Sequence, residues 1–219
     1  MFNNNKYSNV LTIVLIVSLV AVFVIIGIII FKIYKSKNLA SDAELAATAF
    51  QQQINMDNTA SNKQDITGVD GTNIVVSDSI TASDPTKYKG FDVVGTIEIP
   101  SIQINYPILD AVTKKSLETS VALLYTAQGV NEAGNTVIIG HNYRNSTMFS
   151  KVQTLKEGNI IYVTDTQGRK IEYEVYKKYN TSGNDGDYIT RNTNGKREIS
   201  LSTCTNDSKM RTIVWAREK

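Results

Sequence analysis

Residues 197–218 read REISLSTCTNDSKMRTIVWARE. Two runs rich in Ile, Val, Thr and Trp flank a polar stretch of Asn, Asp, Ser and Lys, the pattern of two strands joined by a turn. That pattern puts a thiol, Cys204, at the end of the first strand and a guanidinium, Arg211, at the start of the second, seven positions on. Strands connected by a tight loop are neighbours, so the two groups are expected side by side. A further apolar strand, NTVIIGH over residues 135–141, ends in an imidazole, His141.

Working outward, other strand candidates cover residues 91–99, 102–108, 136–139, 159–165, 170–179, 198–204 and 211–217. The runs 159–165 and 170–179 read as a hairpin turned by Thr166, Gln167, Gly168 and Arg169. Short helical turns are expected at 113–124 and 148–155. Residues 88–219 number 132, an ordinary size for a single core. Closely spaced strands with little helix between them predict a mainly β fold, a closed or nearly closed antiparallel-rich barrel.

The N-terminal part differs in character. Beyond a short tail at 1–9, residues 10–31 form a run of 22 without a charge, interrupted only by Thr12 and Ser18. As a helix it spans roughly 33 Å at 1.5 Å per residue, enough to cross a hydrocarbon core. A cleaved signal peptide is the competing assignment, but its apolar region is shorter, and no clear small-x-small cleavage site follows. An uncleaved transmembrane anchor is therefore expected. The segment 32–87 would link it to the folded domain: 41–53 (SDAELAATAFQQQ) opens with a capping box, Ser41 and Glu44, and predicts a short helix. Residues 54–87 are rich in Asn, Asp, Ser, Thr and Gly and predict a flexible tether.

The chain carries 23 basic and 21 acidic residues, but Lys6, Lys32, Lys35 and Lys37 all lie within the first 37 positions, which hold no acid. The remainder has 19 basic against 21 acidic side chains. A mildly acidic body lacks the cation cluster that nucleic-acid binding requires, so that class is set aside. One cysteine, Cys204, and one histidine, His141, exclude an intrachain disulfide and a structural zinc site of four Cys/His ligands. The three lysines after the span, counted by the positive-inside rule, place the domain in the cytoplasm.

Cys, His and Arg together suit covalent acyl transfer. A thiolate attacks a carbonyl, an imidazole handles the proton, and a cation or backbone N–H stabilises the oxyanion. Each residue also has an ordinary structural explanation. Cys204 could be a small buried hydrophobe, His141 a satisfied polar residue, and Arg211 an edge-strand charge with Arg197 and Arg217 as rivals for any cationic role.

The stretch TVIIGHNYRNSTMF (136–149) resembles the sortase pattern in which a strand ends in Gly-His and a phenylalanine follows. SLSTC (200–204) looks like the Thr-Leu-x-Thr-Cys signature with Ser200 in place of the first Thr, and RTIVWA (211–216) resembles the strand bearing the family arginine. The resemblance covers about residues 90–218. It implies a sortase-like closed β-barrel of about eight strands with short helices, with Cys204 as nucleophile, His141 as general acid/base and Arg211 binding substrate and supporting the oxyanion. Thr203 and Ser202 flank the thiol as candidate pocket-lining, substrate-binding residues. LSTCT looks like class B, but the 63 positions between His141 and Cys204 leave no room for the long helix class B inserts there; the spacing is closer to classes A, D and E.

By that resemblance, the chain would be a membrane-anchored cysteine transpeptidase of a Gram-positive surface, cleaving a Leu-Pro-x-Thr-Gly-like sorting signal after threonine. Its partners would be sorting-signal-bearing surface proteins or pilins and an amine acceptor from a peptidoglycan precursor. The family acts outside the cell, which implies an extracellular domain against the lysine count. A hydrolytic peptidase and a catalytically silent binding module are the alternatives. No cofactor or metal is expected. Residues 180–196 match the loop that contacts the sorting signal in the family, and Asn184, Asp185 and Asp187 offer a calcium set that turn chemistry alone would also explain.

Overall fold

The computed structural model describes residues 4–61 and 86–219, which form two compact units, 1–39 and 40–219. Helix α1 (Asn4–Ser61) runs without a break. The tail expected over 1–9 is thus helical from Asn4, and the separate helix expected from Ser41 is continuous with the apolar run, since no Gly or Pro interrupts residues 32–53. The first unit holds a helical stretch long and apolar enough to cross a membrane, its large side chains exposed. Helix also replaces the expected tether as far as Ser61; the tether over 62–85 lies outside the described residues.

In the second unit, residues 40–56 of α1 dock on the folded domain. Ala43, Ala47, Phe50 and Ile54 recur at helical spacing and are buried. Two small alanines let the helix approach closely, and Gln51 Nε2 donates to Thr96 Oγ1 at 2.8 Å.

The domain itself is mainly strand, with one short α-helix and 3-10 turns at Pro100–Ile102 and Val152–Thr154. Its elements are β1 (Lys87–Tyr88), β2 (Phe91–Ile99), β3 (Ile104–Leu109), α2 (Lys114–Thr119), β4 (Val121–Thr126), β5 (Gly134–Ile139), β6 (Ile160–Asp165), β7 (Lys170–Ser182), β8 (Arg197–Cys204) and β9 (Met210–Glu218). Neighbour order is β1-β2-β3-β4-β5-β8-β9-β7-β6, and β6 pairs back onto β2, so strands β2 to β9 close an eight-stranded barrel. Closure leaves no long unpaired edge. The pairs β3–β4 and β5–β8 are parallel and the others antiparallel.

The expected hairpin is present, β6 to β7, with Thr164 opposite Lys170. Asp165 organises its turn: one oxygen accepts from the Gln167 and Arg169 amides and the other from Arg169 Nε. The helical turn expected over 113–124 stops at Thr119. Ser120 is extended, and Val121–Thr126 becomes β4, because the run pairs between β3 and β5 and buries Val121 and Ala122. At 148–155 only Val152–Thr154 is helical, as one 3-10 turn.

Alternation sorts the sheet around β8 into two faces. Ile138, Leu201 and Val214, all fully buried, point into the barrel. The other face carries Val137 and Ile213, covered by Tyr188 of the β7–β8 loop. Barrel closure demands close strand approach at Gly95, which sits at a bulge of β2 opposite Asp165. A Cβ there would lie 2.5 Å from the Thr164 carbonyl oxygen. Gly95→Ala is expected to cost about 1–3 kcal/mol of unfolding free energy, read as a lower urea midpoint; an unchanged midpoint would show that the closing strands can separate freely.

Candidate active site

β8 places the thiol and β9 the guanidinium. The two strands pair antiparallel through Ser202↔Ile213, Thr203↔Thr212 and Cys204↔Arg211, so cysteine and arginine occupy the last register position before the loop. That loop is braced internally: Thr205 N donates to Met210 O at 2.9 Å, and the Asp207 carboxylate accepts from the Thr205 hydroxyl and the Lys209 amide. Parallel pairing of β5 with β8 sets Ile139 beside Ser202, and Gly140 N donates to Ser202 O at 3.2 Å. His141 follows at the same end of the barrel.

Gly140 is required where it stands. A Cβ would fall 2.8 Å from Phe149 Cγ and 2.9 Å from Val121 Cγ1. Phe149 N in turn donates to His141 O at 3.0 Å, which folds the loop back so that the Phe149 ring packs on Gly140.

Cys204, His141, Arg211 and Ser202 line one cavity of about 450 Å³. Its other walls are mostly apolar, with Val112 and Leu117 from the α2 region, Leu124, Ile139, and Tyr188 and Ile189 from the β7–β8 loop. Such a groove suits an extended peptide with aliphatic side chains. Ser202 Oγ is buried on its floor with no hydrogen-bond partner. Thr203, expected to line the pocket, has the opposite parity. It is 1 % exposed and its hydroxyl donates to Gly140 O at 2.8 Å, tying the strand that ends in Cys204 to the one that leads into His141.

Arg211 Nε donates to the Gly183 carbonyl at 3.3 Å, so the cation also holds the start of the β7–β8 loop. Its sequence rivals are occupied elsewhere: Arg197 pairs with Glu218 at 3.0 Å, and Arg217 lies over the Tyr176 ring. Burial lowers the His141 pKa from its ordinary value, opposed by the charge of Glu118 on α2. The Tyr143 ring packs 5.2 Å from the imidazole.

At the candidate calcium set, the contacts of Asp185 are internal to the loop. Asp185 accepts from Thr181 Oγ1 and from the Asp187 amide, which hold its carboxyl below the usual range. Among the described residues no three His, Cys, Asp or Glu side chains converge as a metal group.

The family model of the Sortase domain matches residues 97–219. The chain belongs to the sortase family. It is 31% identical over 125 residues to Sortase A of Bacillus anthracis, covering 56% of this chain and 58% of that protein. It is 24% identical over 159 residues to Sortase A of Streptococcus agalactiae serotype III (strain NEM316), covering 70% and 64%. The chain thus matches about three fifths of the length of these relatives. Among solved structures, a Clostridium perfringens sortase D5 transpeptidase aligns with TM-score 0.53 and 29% identity over 58% of this chain and 79% of that one. A lid mutant of Corynebacterium diphtheriae sortase A aligns with TM-score 0.54 and 30% identity, covering 59% and 71%.

Several residues of this sortase site were not singled out in the sequence. Asn142, next to the histidine, donates through Nδ2 to Cys204 O at 2.9 Å and to Asn206 Oδ1 at 3.0 Å, and Gln153 Nε2 reaches the same Asn206 oxygen. These amides lace the histidine loop to the loop between cysteine and arginine. Only their spacing to His141 and Cys204 could have flagged them, because Asn and Gln are common in any loop. His141 being the single imidazole, its proton signal is unambiguous. An NMR titration is expected to give a midpoint below about 6.5, and Glu118→Gln should lower it further by removing the charge that favours imidazolium; a midpoint above that value would refute the dominance of burial.

Proposed function

We propose that this sortase is a membrane-anchored cysteine transpeptidase that cleaves a Leu-Pro-x-Thr-Gly-like sorting signal after threonine. The observation that carries the reading is that the chain's only thiol and only imidazole, with Arg211, line one largely apolar groove. The Cys204 thiolate attacks the threonine carbonyl, and the C–N bond breaks as His141 imidazolium gives its proton to the leaving amine. An amine, from a peptidoglycan precursor or a pilin, then attacks the Cys204 thioester. Neutral His141 takes the proton of that amine, and the C–S bond breaks. Arg211, charged throughout, faces the oxyanion at each step.

Burial lowers the His141 pKa and so favours the neutral imidazole, the form that takes the proton of the incoming amine. Ser202, unpartnered on the groove floor, is a hydrogen-bonding group for the bound signal. The anchor holds the domain on the extracellular face despite Lys32, Lys35 and Lys37. In a protease-accessibility assay on intact cells, digestion of the domain is expected; protection would place it in the cytoplasm.

Full-length enzyme in detergent micelles, incubated with a panel of sorting-signal peptides, should yield an acyl adduct on Cys204 by mass spectrometry. Cys204→Ala should give none, and His141→Gln should slow acylation about 10²–10⁴-fold. An added amine should capture the acyl group; free acid formed regardless of the amine would make the protein a hydrolytic peptidase. No adduct with any peptide would sink the covalent mechanism.

A further inference from the structure

The β7–β8 loop, residues 183–196, forms one wall of the groove, through Gly183 to Gly186, Tyr188 and Ile189. A loop of 14 residues with three glycines and no helix or strand of its own has little intrinsic order. What fixes it lies on its far side. Tyr188, 3 % exposed, seats as a peg against Val137 and Ile213. Asn135 Nδ2 donates to the carbonyls of Tyr188 and Ile189, at 2.9 and 2.8 Å. Ser200 Oγ donates to Asn135 Oδ1, and Arg191 Nε donates to Ser200 Oγ. Arg191 Nη1 then reaches Glu198 Oε2 at 2.5 Å and the Tyr176 hydroxyl at 3.2 Å, with the guanidinium 4.4 Å over the Trp215 ring.

We propose that Arg191 is a positioning residue that, through Asn135 and Glu198, latches this loop onto β5, β8 and β9 and so forms the substrate wall before substrate arrives. The inference rests on the transpeptidase reading only for what the wall contacts, namely the sorting-signal peptide. The charges of Arg191 and Glu198 are almost wholly out of water, at 10% and 11% side-chain exposure. A desolvated ion pair is a poor source of net stability, and its cost is met when it specifies one arrangement. Here the pair joins a loop residue to a strand residue across seven positions, so it is satisfied only with the loop closed down. Burial, then the hydrogen bond to Glu198, pushes the Tyr176 phenol up to about 12, so it remains a donor to that carboxylate at neutral pH. The planar fork and the stacking on Trp215 use properties that lysine lacks.

The test compares full-length wild type, Arg191→Met, Arg191→Lys and Asn135→Ala in detergent micelles by three measurements. Hydrogen exchange of residues 187–193 is expected to quicken about tenfold or more in all three variants while β5 and β8 keep wild-type protection. Alkylation of Cys204 by iodoacetamide, which needs no peptide wall, should stay within about twofold. For a peptide that wild type turns over, KM should rise about five- to tenfold with kcat within about threefold. Wild-type exchange in the loop of Arg191→Met would overturn the latch, as would exchange rising throughout the barrel in both Arg191→Met and Asn135→Ala. Failure of wild type to acylate any peptide would count against the transpeptidase reading instead, and loop exchange would still decide the latch.

Discussion

Strand β8 is hydrogen-bonded on both sides, parallel to β5 and antiparallel to β9, and everything at the site depends on those two registers. The first sets Gly140 against Ser202, and the second sets Arg211 against Cys204. Because side chains alternate along each strand, the odd positions of β5 and β9 and the even positions of β8 share one face. A slip of one residue in either register would turn the Cys204 thiol or the Arg211 guanidinium into the barrel interior. The parallel pair needs a long crossover between β5 and β8, and β6, β7 and the β7–β8 loop supply it. The same crossover brings back the loop that roofs the groove.

The site is therefore assembled from strand ends, with short polar loops doing the fine alignment. Thr203, Asn142, Asn206 and Gln153 make neutral hydrogen bonds between the loops carrying histidine and cysteine. Charge is sparing there: Arg211 is the cation in the groove, and Glu118 is the acid that bears on His141. With few charges and mostly apolar walls, burial dominates the imidazole. The buried pair of Arg191 and Glu198 lies beneath the loop, where under the proposed latch it would order the groove wall.

The strands and the candidate site residues Cys204, His141 and Arg211 were legible because each carries a local signal. Phe91–Ile99, the β6–β7 hairpin and the β8–β9 pair all show β-branched or aromatic runs bounded by turn residues, and in a chain with one Cys and one His those two have no competitors. The helix expected over 113–124 ends at Thr119 instead of running into the start of β4, because the helix preference of Leu and Ala there is overridden by pairing with β3 and β5. The docked face of α1 was missed for a related reason. Ala43 and Ala47 look like helix formers of no special orientation, and only the partner surface shows why they are small.

By itself, the sequence determined which residues could do chemistry, where the apolar N-terminal run lies, and that a β-rich domain occupies the C-terminal three fifths, since composition and period act over a few residues. Only the tertiary structure decided which side chains meet. Barrel closure of β6 on β2, the parallel pairing that brings His141 to the end of β8, and the fold-back of the β7–β8 loop are contacts between residues tens of positions apart. No local pattern encodes the parity that turned Thr203 inward and left Ser202 on the groove floor. Nor does it show that Asp185 spends its carboxylate on its own turn while Arg191, far from the thiol in appearance, underlies the wall that substrate would meet.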